Sequence, residues 1–482
     1  MLAALKVEVY AARVRAAVAL GASLLAALAA GCAAWVARGP GEPAGVAPTA
    51  GALAASHHAA RPDDWIGRWE GLVRVAGEAP RRIALTLRSD TAGGVTGALT
   101  AAAAGPAPIP LAAATLAGDS LALRLPASAQ GVVLRGRRAA GGRRYEGVVD
   151  GPGVPVTFAL ARAGTPEALA LAAALTRVER SRAAAERLAA AALADSASVR
   201  PQGDPDAARL VTADIPRFWA AVDRAGTVES ADDTGDAGPN GLAAVLQRDY
   251  LEAGSPGLRE FIPGRILSAE DLAAAVRGQR ARYDSSRAGT LRVAEAEPEI
   301  RAALRRFKAL YPEAVFPDVY FVVGRFNSGG TSQPHGLLIG AEMYRDPARL
   351  PAIVAHELIH YQQRYASPTL LGQAFREGSA DFLGELAADA QINTEAQRYG
   401  RAHERALWRE FRQRLDDTAS FAPWMYGKPP GERPADLGYF IGYRIAEAYY
   451  AKAADKRRAI RDIVTARGGD VKALLAQSGY DP

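Results

Sequence analysis

Two imidazoles four residues apart, with a carboxylate directly after the first, stand in Pro351-Ala-Ile-Val-Ala-His356-Glu357-Leu-Ile-His360-Tyr361. On a helix that spacing puts His356 and His360 on one face, as a tetrahedral metal with nitrogen ligands requires. A second segment, Phe375-Arg376-Glu377-Gly378-Ser379-Ala380-Asp381-Phe382, places Glu377 and Asp381 on a common helical face at i, i+4. Two His and one Glu form a common catalytic zinc set that leaves the fourth position for water. Glu377 is therefore the expected third ligand, with Glu385 on the same helix as its substitute. Asp381 would accept the outer N–H of His356 and so fix its tautomer. Glu357 cannot reach the ligand face. It suits a general base that takes a proton from the metal-activated water and passes it to a leaving amine.

The elements that must hold these groups are well signalled. Pro351 fits the first turn of a helix whose apolar positions are Ile353, Val354, Leu358 and Ile359, and Pro368 follows its end. Glu377 and Asp381 fall in a helical run predicted from about Leu370 to Ala387. Upstream, the apolar stretches Val319 to Val323 and Leu337 to Ala341 predict a hairpin or looped strand pair, joined by a connection that contains Gly329, Gly330 and His335. The two glycines would permit close approach or movement. His335 offers a weaker reading as a substrate contact.

The two chemical segments resemble the gluzincin metallopeptidases, in which HExxH is followed on the next helix by a glutamate and, four residues on, an acid. Val319 to Gln363 more narrowly resembles predicted zinc-dependent proteases found among bacterial envelope lipoproteins. The resemblance implies a zincin-like metallopeptidase domain, here residues 201–482, with Zn2+ as cofactor and a peptide or protein as substrate. It also implies that the strand before the metal helix is a sheet edge on which the substrate lies, and an extended peptide can add a strand to such an edge. Thermolysin-like enzymes stabilise the tetrahedral oxyanion with a Tyr or His from the C-terminal helical lobe. That implication points to Tyr443 first, then Tyr439 and His403. A metal-dependent hydrolase of other substrates stays open, and so does a weakly active or non-catalytic scaffold or chaperone on the same frame.

The remaining chain sets the context. At 482 residues and 49% hydrophobic composition it can bury sizeable cores. The net charge of +6 comes from scattered arginines, which reads as a solvated surface and not as a nucleic-acid footprint. Residues 1–32 read as a targeting segment, basic at Lys6, Arg13 and Arg15 and then apolar. Leu28-Ala-Ala-Gly-Cys32 resembles a bacterial lipobox, which implies lipidation of Cys32 and an envelope location, the outer membrane facing the periplasm favoured. The alternative is a single N-terminal transmembrane anchor. Residues 33–61 are Gly-, Pro- and Ala-rich, as a flexible linker would be, and His57 and His58 belong to it.

Residues 62–164 predict seven or eight short strands, from Trp69 to Val75 through Val154 to Leu160, separated by Gly- or Pro-bearing turns. Trp65-Ile-Gly67-Arg-Trp69-Glu-Gly71 resembles the start of lipocalin-like barrels. Residues 165–200 form an Ala-rich helical connector. The fold class expected is α+β, with an N-terminal all-β domain, barrel- or sandwich-like, followed by a mostly helical metallopeptidase domain.

Overall fold

The computed structural model describes residues 62–482, apart from 76–79, 92, 102–106, 128–131, 140, 151–155, 230–240, 364–366, 419–420, 422–423, 427–432 and 468. The readings on Cys32, the targeting segment, the linker and its two histidines lie outside the described residues. Among those described, no helix is long and apolar enough to cross a membrane. The chain divides into two units that meet within one helix, between Arg180 and Ser181.

The first unit is one antiparallel sheet of nine strands. These are β1 (Gly67–Val75), β2 (Arg81–Ser89), β3 (Val95–Ala101), β4 (Ile109–Pro110), β5 (Ala113–Ala117), β6 (Ser120–Arg124), β7 (Val133–Ala139), β8 (Arg144–Asp150) and β9 (Val156–Arg162). Their order is β4-β3-β2-β1-β9-β8-β7-β6-β5. The two edge strands, β4 and β5, are separated in the chain by Leu111 and Ala112 alone, so the sheet must curl until its edges approach. The seam is visible in the backbone: the Leu111 N–H donates to Gly97 and the Ala112 N–H to Arg124, on opposite sides of it. A single curled sheet replaces the sandwich alternative. Alternate side chains point inward, and the interior is filled by Trp65, Trp69, Tyr145 and Phe158, with Trp65 and Tyr145 edge to face at 5.2 Å. The Tyr145 hydroxyl donates to the Leu121 carbonyl at 2.9 Å, so its polar end is satisfied inside.

The helix α1 (Pro166–Asp195) leads into the second unit. There, α2 (Asp214–Glu229), α3 (Leu242–Val245), α4 (Pro256–Phe261), α5 (Ala269–Gly278), α6 (Arg280–Leu291) and α7 (Glu297–Leu310) precede a small sheet. Its strands β10 (Leu210–Val211), β11 (Asp318–Val322), β12 (Gly330–Ser332) and β13 (Gly336–Gly340) lie in the order β10-β11-β13-β12. Of the expected hairpin or looped strand pair of Val319–Val323 with Leu337–Ala341, the hairpin is corrected: β11 and β13 do pair but run parallel, and the connection itself supplies β12, antiparallel to β13. The physical reason is in the connection. Its length lets the chain cross β13 and return along the far side, which leaves β12 as the edge.

Five helices follow: α8 (Leu350–Gln362), α9 (Leu370–Ala388), α10 (Thr394–Phe411), α11 (Leu437–Lys452) and α12 (Lys456–Thr465), with α13 (Asp470–Ser478) closing the chain. Every residue of α8 is buried, so it forms the spine of the unit. Pro351 occupies its first turn and Gln363, in extended backbone, ends it. Thr369 caps α9 by accepting the Gly372 N–H at 3.2 Å. Helices α9 and α11 cross at Gly378 and Gly442, where a Cβ on either would fall inside the backbone of the other helix.

Candidate metal centre

Helix α8 presents His356 and His360 one turn apart, and α9 brings Glu377 to meet them. The three donor atoms lie within 4.8 Å of one another and all three residues are buried. His360 Nε2 is 3.0 Å from His356 Nε2 and 3.0 Å from Glu377 Oε2. The ring planes stand at 90°. Glu385 is not in this group. Its carboxylate accepts from Tyr443 at 2.8 Å and from Gln391 at 2.9 Å, so the substitute-ligand reading is corrected in favour of Glu377.

The outer atoms of the cluster are held as well. His356 Nδ1 lies 2.8 Å from Asp381 Oδ1, and Asn393 donates to the other oxygen of Asp381 at 2.6 Å. The partner of His360 Nδ1 is the Gln363 oxygen, at 2.8 Å. Because the Gln363 amide nitrogen donates to Arg376 O and Ser379 Oγ, its oxygen must be the acceptor. Both rings are therefore pinned as Nδ1–H tautomers with their Nε2 lone pairs facing inward. Glu377 Oε1 accepts from Arg376 at 2.6 Å, which leaves Oε2 for the cluster.

Two ring lone pairs and a carboxylate oxygen at about hydrogen-bonding separation repel one another unless a cation lies among them. The surroundings answer with protons where they can. Burial works to lower the His356 pKa, but the hydrogen bond and charge of Asp381, with Glu357 and Glu377, push it up to about 9. Burial alone would raise Glu377, and the adjoining His360, Arg376 and His356 instead hold it well below the usual carboxylate range. A divalent cation with nitrogen and oxygen preference meets the same demand, so the donor set fits zinc.

Glu357 follows His356 on α8 but lies outside the donor group. A Cβ built on Gly330 would stand 2.5 Å from its Oε1, so glycine lets the edge strand β12 approach this carboxylate without pushing it aside. One side of β12 is taken by β13, and no strand pairs with its other side among the described residues.

The three candidates for oxyanion stabilisation separate. The Tyr443 hydroxyl donates to Glu385 at 2.8 Å, which directs it away from the cluster and corrects its first ranking. His403 stacks on Tyr399 with ring centroids 4.1 Å apart and bonds the Tyr399 carbonyl. Tyr439 is raised in pKa by burial first and then by the charge of Glu377, so it sits within electrostatic reach of that ligand. Tyr426, absent from the sequence reading, senses Glu377 likewise. It has a left-handed φ of 61° and its hydroxyl donates to Gln373, one turn before Glu377 on α9. His335 is taken out of the site: it is buried against Glu260, with its Nδ1 at 3.0 Å and its backbone N–H donating at 3.0 Å.

Residues 323–464 match the model of a family described as a predicted Zn-dependent protease (DUF2268). The matched stretch begins directly after β11 and contains every member of the cluster, while the curled sheet lies outside it. Neither the curated proteins nor the solved structures gave a match.

Proposed function

We propose that the chain is a zinc-dependent peptidase, an endopeptidase or oligopeptidase, with a zincin-like second unit. His356, His360 and Glu377 are the ligands in this reading and Glu357 is the general base. The observation that carries it is the meeting of three inward-facing donors with a fourth, unliganded carboxylate that lies against the open edge β12. A purely structural metal site is closed by its ligands and has no use for Glu357.

Bound in this donor set, zinc would supply Lewis acidity, making a water acidic near neutral pH and polarising a carbonyl oxygen. The chain's own residues do the rest. Asp381 and Gln363 hold the imidazoles in register, and Arg376 keeps Glu377 to one oxygen. The free side of β12 orients an extended peptide by backbone pairing. Glu357, beside Gly330 of that strand, removes a proton from the attacking water and delivers it to the departing amine. Tyr439 is the hydroxyl this reading assigns to stabilising developing negative charge. In the same reading the enzyme works in the cell envelope, tethered by lipid on Cys32, and a Cys32→Ala protein should be recovered without membrane.

The test is metal content by mass spectrometry on protein without its first 32 residues, followed by a quenched-peptide assay. One zinc per chain is expected, lost in Glu377→Ala and kept in Glu385→Ala. A parent that holds no zinc after loading and dialysis would sink the proposal.

A further inference from the structure

Arg265 is a guanidinium in want of an anion. Its Nε is buried without a hydrogen-bond partner. No carboxylate stands within ion-pair distance of it among the described residues, whereas Arg182 elsewhere in the same unit pairs with Asp271 at 2.8 Å. Burial works against the Arg265 charge, and the one group that supports it is Glu357. A largely buried cation without an ion-pair partner is costly to keep, and a group held in that state is a candidate for binding.

Its backbone is fixed with unusual care. The Arg265 carbonyl accepts from Arg325 Nε at 2.7 Å and from Asn327 Nδ2 at 3.1 Å. Both donors belong to the segment that runs directly into β12. On either side of this junction the chain adopts left-handed backbone at non-glycine residues, Leu267 with φ 70° and Phe326 with φ 58°. Strained positions of this kind persist where the surroundings over-determine them, and they gather at ligand clamps. Phe326 is held by Tyr283, edge to face at 4.8 Å, and by Arg282 over its ring at 4.0 Å.

The position of the clamp gives it a direction. β12 runs from Gly330 to Ser332, and a peptide added antiparallel to its free edge has its C-terminal half at the Gly330 end. From Gly330 the chain leads back to Asn327 and Arg325, whose side chains hold the Arg265 carbonyl. We propose that Arg265 binds a carboxylate on the C-terminal side of the peptide bond that is cleaved, and so makes this a peptidase for substrates that are anionic there. The inference rests on the peptidase reading and names its substrate class. The carboxylate can be the free C-terminus of a short peptide or an Asp or Glu side chain, and a guanidinium fork suits either.

Three peptides test it: a free C-terminal acid, its C-terminal amide, and that amide with one residue of its C-terminal half replaced by Glu. Binding is measured by calorimetry on the zinc-loaded full chain in Glu357→Gln, to avoid turnover, with and without Arg265→Gln. The acid, the Glu-bearing amide or both should bind roughly tenfold or more tightly than the plain amide. The preference should vanish in Arg265→Gln, and which of the two anionic peptides shows it identifies the source. Equal binding of all three, or a preference that survives Arg265→Gln, would overturn the assignment. Should Arg265→Gln not fold, Arg265→Lys decides. The acid peptide must then weaken several-fold while the plain amide is unchanged, and a parallel change in both refutes the contact.

Cleavage assays with the parent keep the two readings apart. A parent that binds the acid peptide through Arg265 and never hydrolyses it refutes the peptidase and leaves the carboxylate site. A parent that hydrolyses all three alike refutes the site and leaves the peptidase.

Discussion

The two units bury different things. Inside the curled sheet the core is apolar and aromatic, and among the described residues every buried polar or charged side chain lies at Ser196 or beyond. The second unit buries Asp214, Glu260, His335, Glu342, His356, Glu357, His360, Glu377 and Asp381. Burying a charge is costly unless it is paired or ligated, so a unit that does it repeatedly must gain something in return. Four of these groups are tied into structure. Asp214 accepts from Arg217 at 3.0 Å and from the Ser255 backbone at 3.1 Å, Glu260 holds His335, and Glu342 accepts the Phe326 N–H at 3.2 Å. The others form or adjoin the metal cluster. The contrast teaches that the first unit is built for packing and the second for placing charge, and each half of that statement can be broken.

The largest expected effect is on turnover. Glu357→Gln keeps the shape and loses the base, so zinc content should be unchanged while kcat falls by roughly 10²- to 10⁴-fold. Retention of full peptidase activity in that variant would remove Glu357 from the chemistry. The apolar unit should answer in stability instead. Trp69 is fully buried and its Nε1 donates to the Trp65 carbonyl at 2.9 Å. Trp69→Ala should destabilise the sheet by about 3–5 kcal/mol and leave zinc content untouched, as read by denaturant unfolding beside metal analysis. Loss of zinc in this variant would mean that the two units do not divide the work as described.

A structural charge can be told from a catalytic one by its pH signature. Burial pushes the Glu342 carboxyl up to about 7, against the backbone N–H groups of Gly324, Glu342 and Phe326, which pull it down. An acid raised in the native state stabilises the fold while protonated, below its unfolded value near 4.5, and that contribution is lost as the pH rises through 7. Relative to Glu342→Gln, the parent should therefore lose on the order of 3 kcal/mol between pH 4.5 and pH 8, at 1.36 kcal/mol per unit of pKa difference. Melting curves of the two proteins at both pH values measure it. A constant difference would show that Glu342 is ionised throughout and held by its backbone donors.

Much of this was legible from residue spacing, and what was not has a physical cause. Helical periodicity placed His356, His360, Glu377 and Asp381, because one turn of α8 and one of α9 suffice to align them. It could not rank Tyr439 above Tyr443. Which stripe of α11 faces Glu377 depends on how the helices cross at Gly378 and Gly442, and the sequence shows only that they can approach. β4 and β5 were missed since a two-residue strand that ends in Pro110, and an alanine-rich one, carry almost no alternation. The parallel course of β11 and β13 was hidden because apolar runs look alike in either direction. Arg265 is brought to the site by tertiary contacts alone. Gln363 could have been found: it stands three residues after His360, within reach of the outer nitrogen of that ring.

Gln363 also carries the finest test of the comparison, because the two histidines are not backed alike. His356 leans on the carboxylate of Asp381, which Asn393 holds in turn, while His360 leans on a neutral amide. A carboxylate strengthens the ligand as well as orienting it, whereas an amide only orients. Asp381→Ala should thus weaken zinc binding by roughly 100-fold and Gln363→Ala by nearer tenfold, read by competition against a chromophoric chelator. The ranking follows from charge, so it should narrow in Asp381→Asn, which keeps an acceptor and drops the charge. If Gln363→Ala instead proved the more damaging, orientation of His360 at the end of α8 would outweigh charge. The buried carboxylate of Asp381 would then belong with Asp214 and Glu260 among the groups that hold the fold.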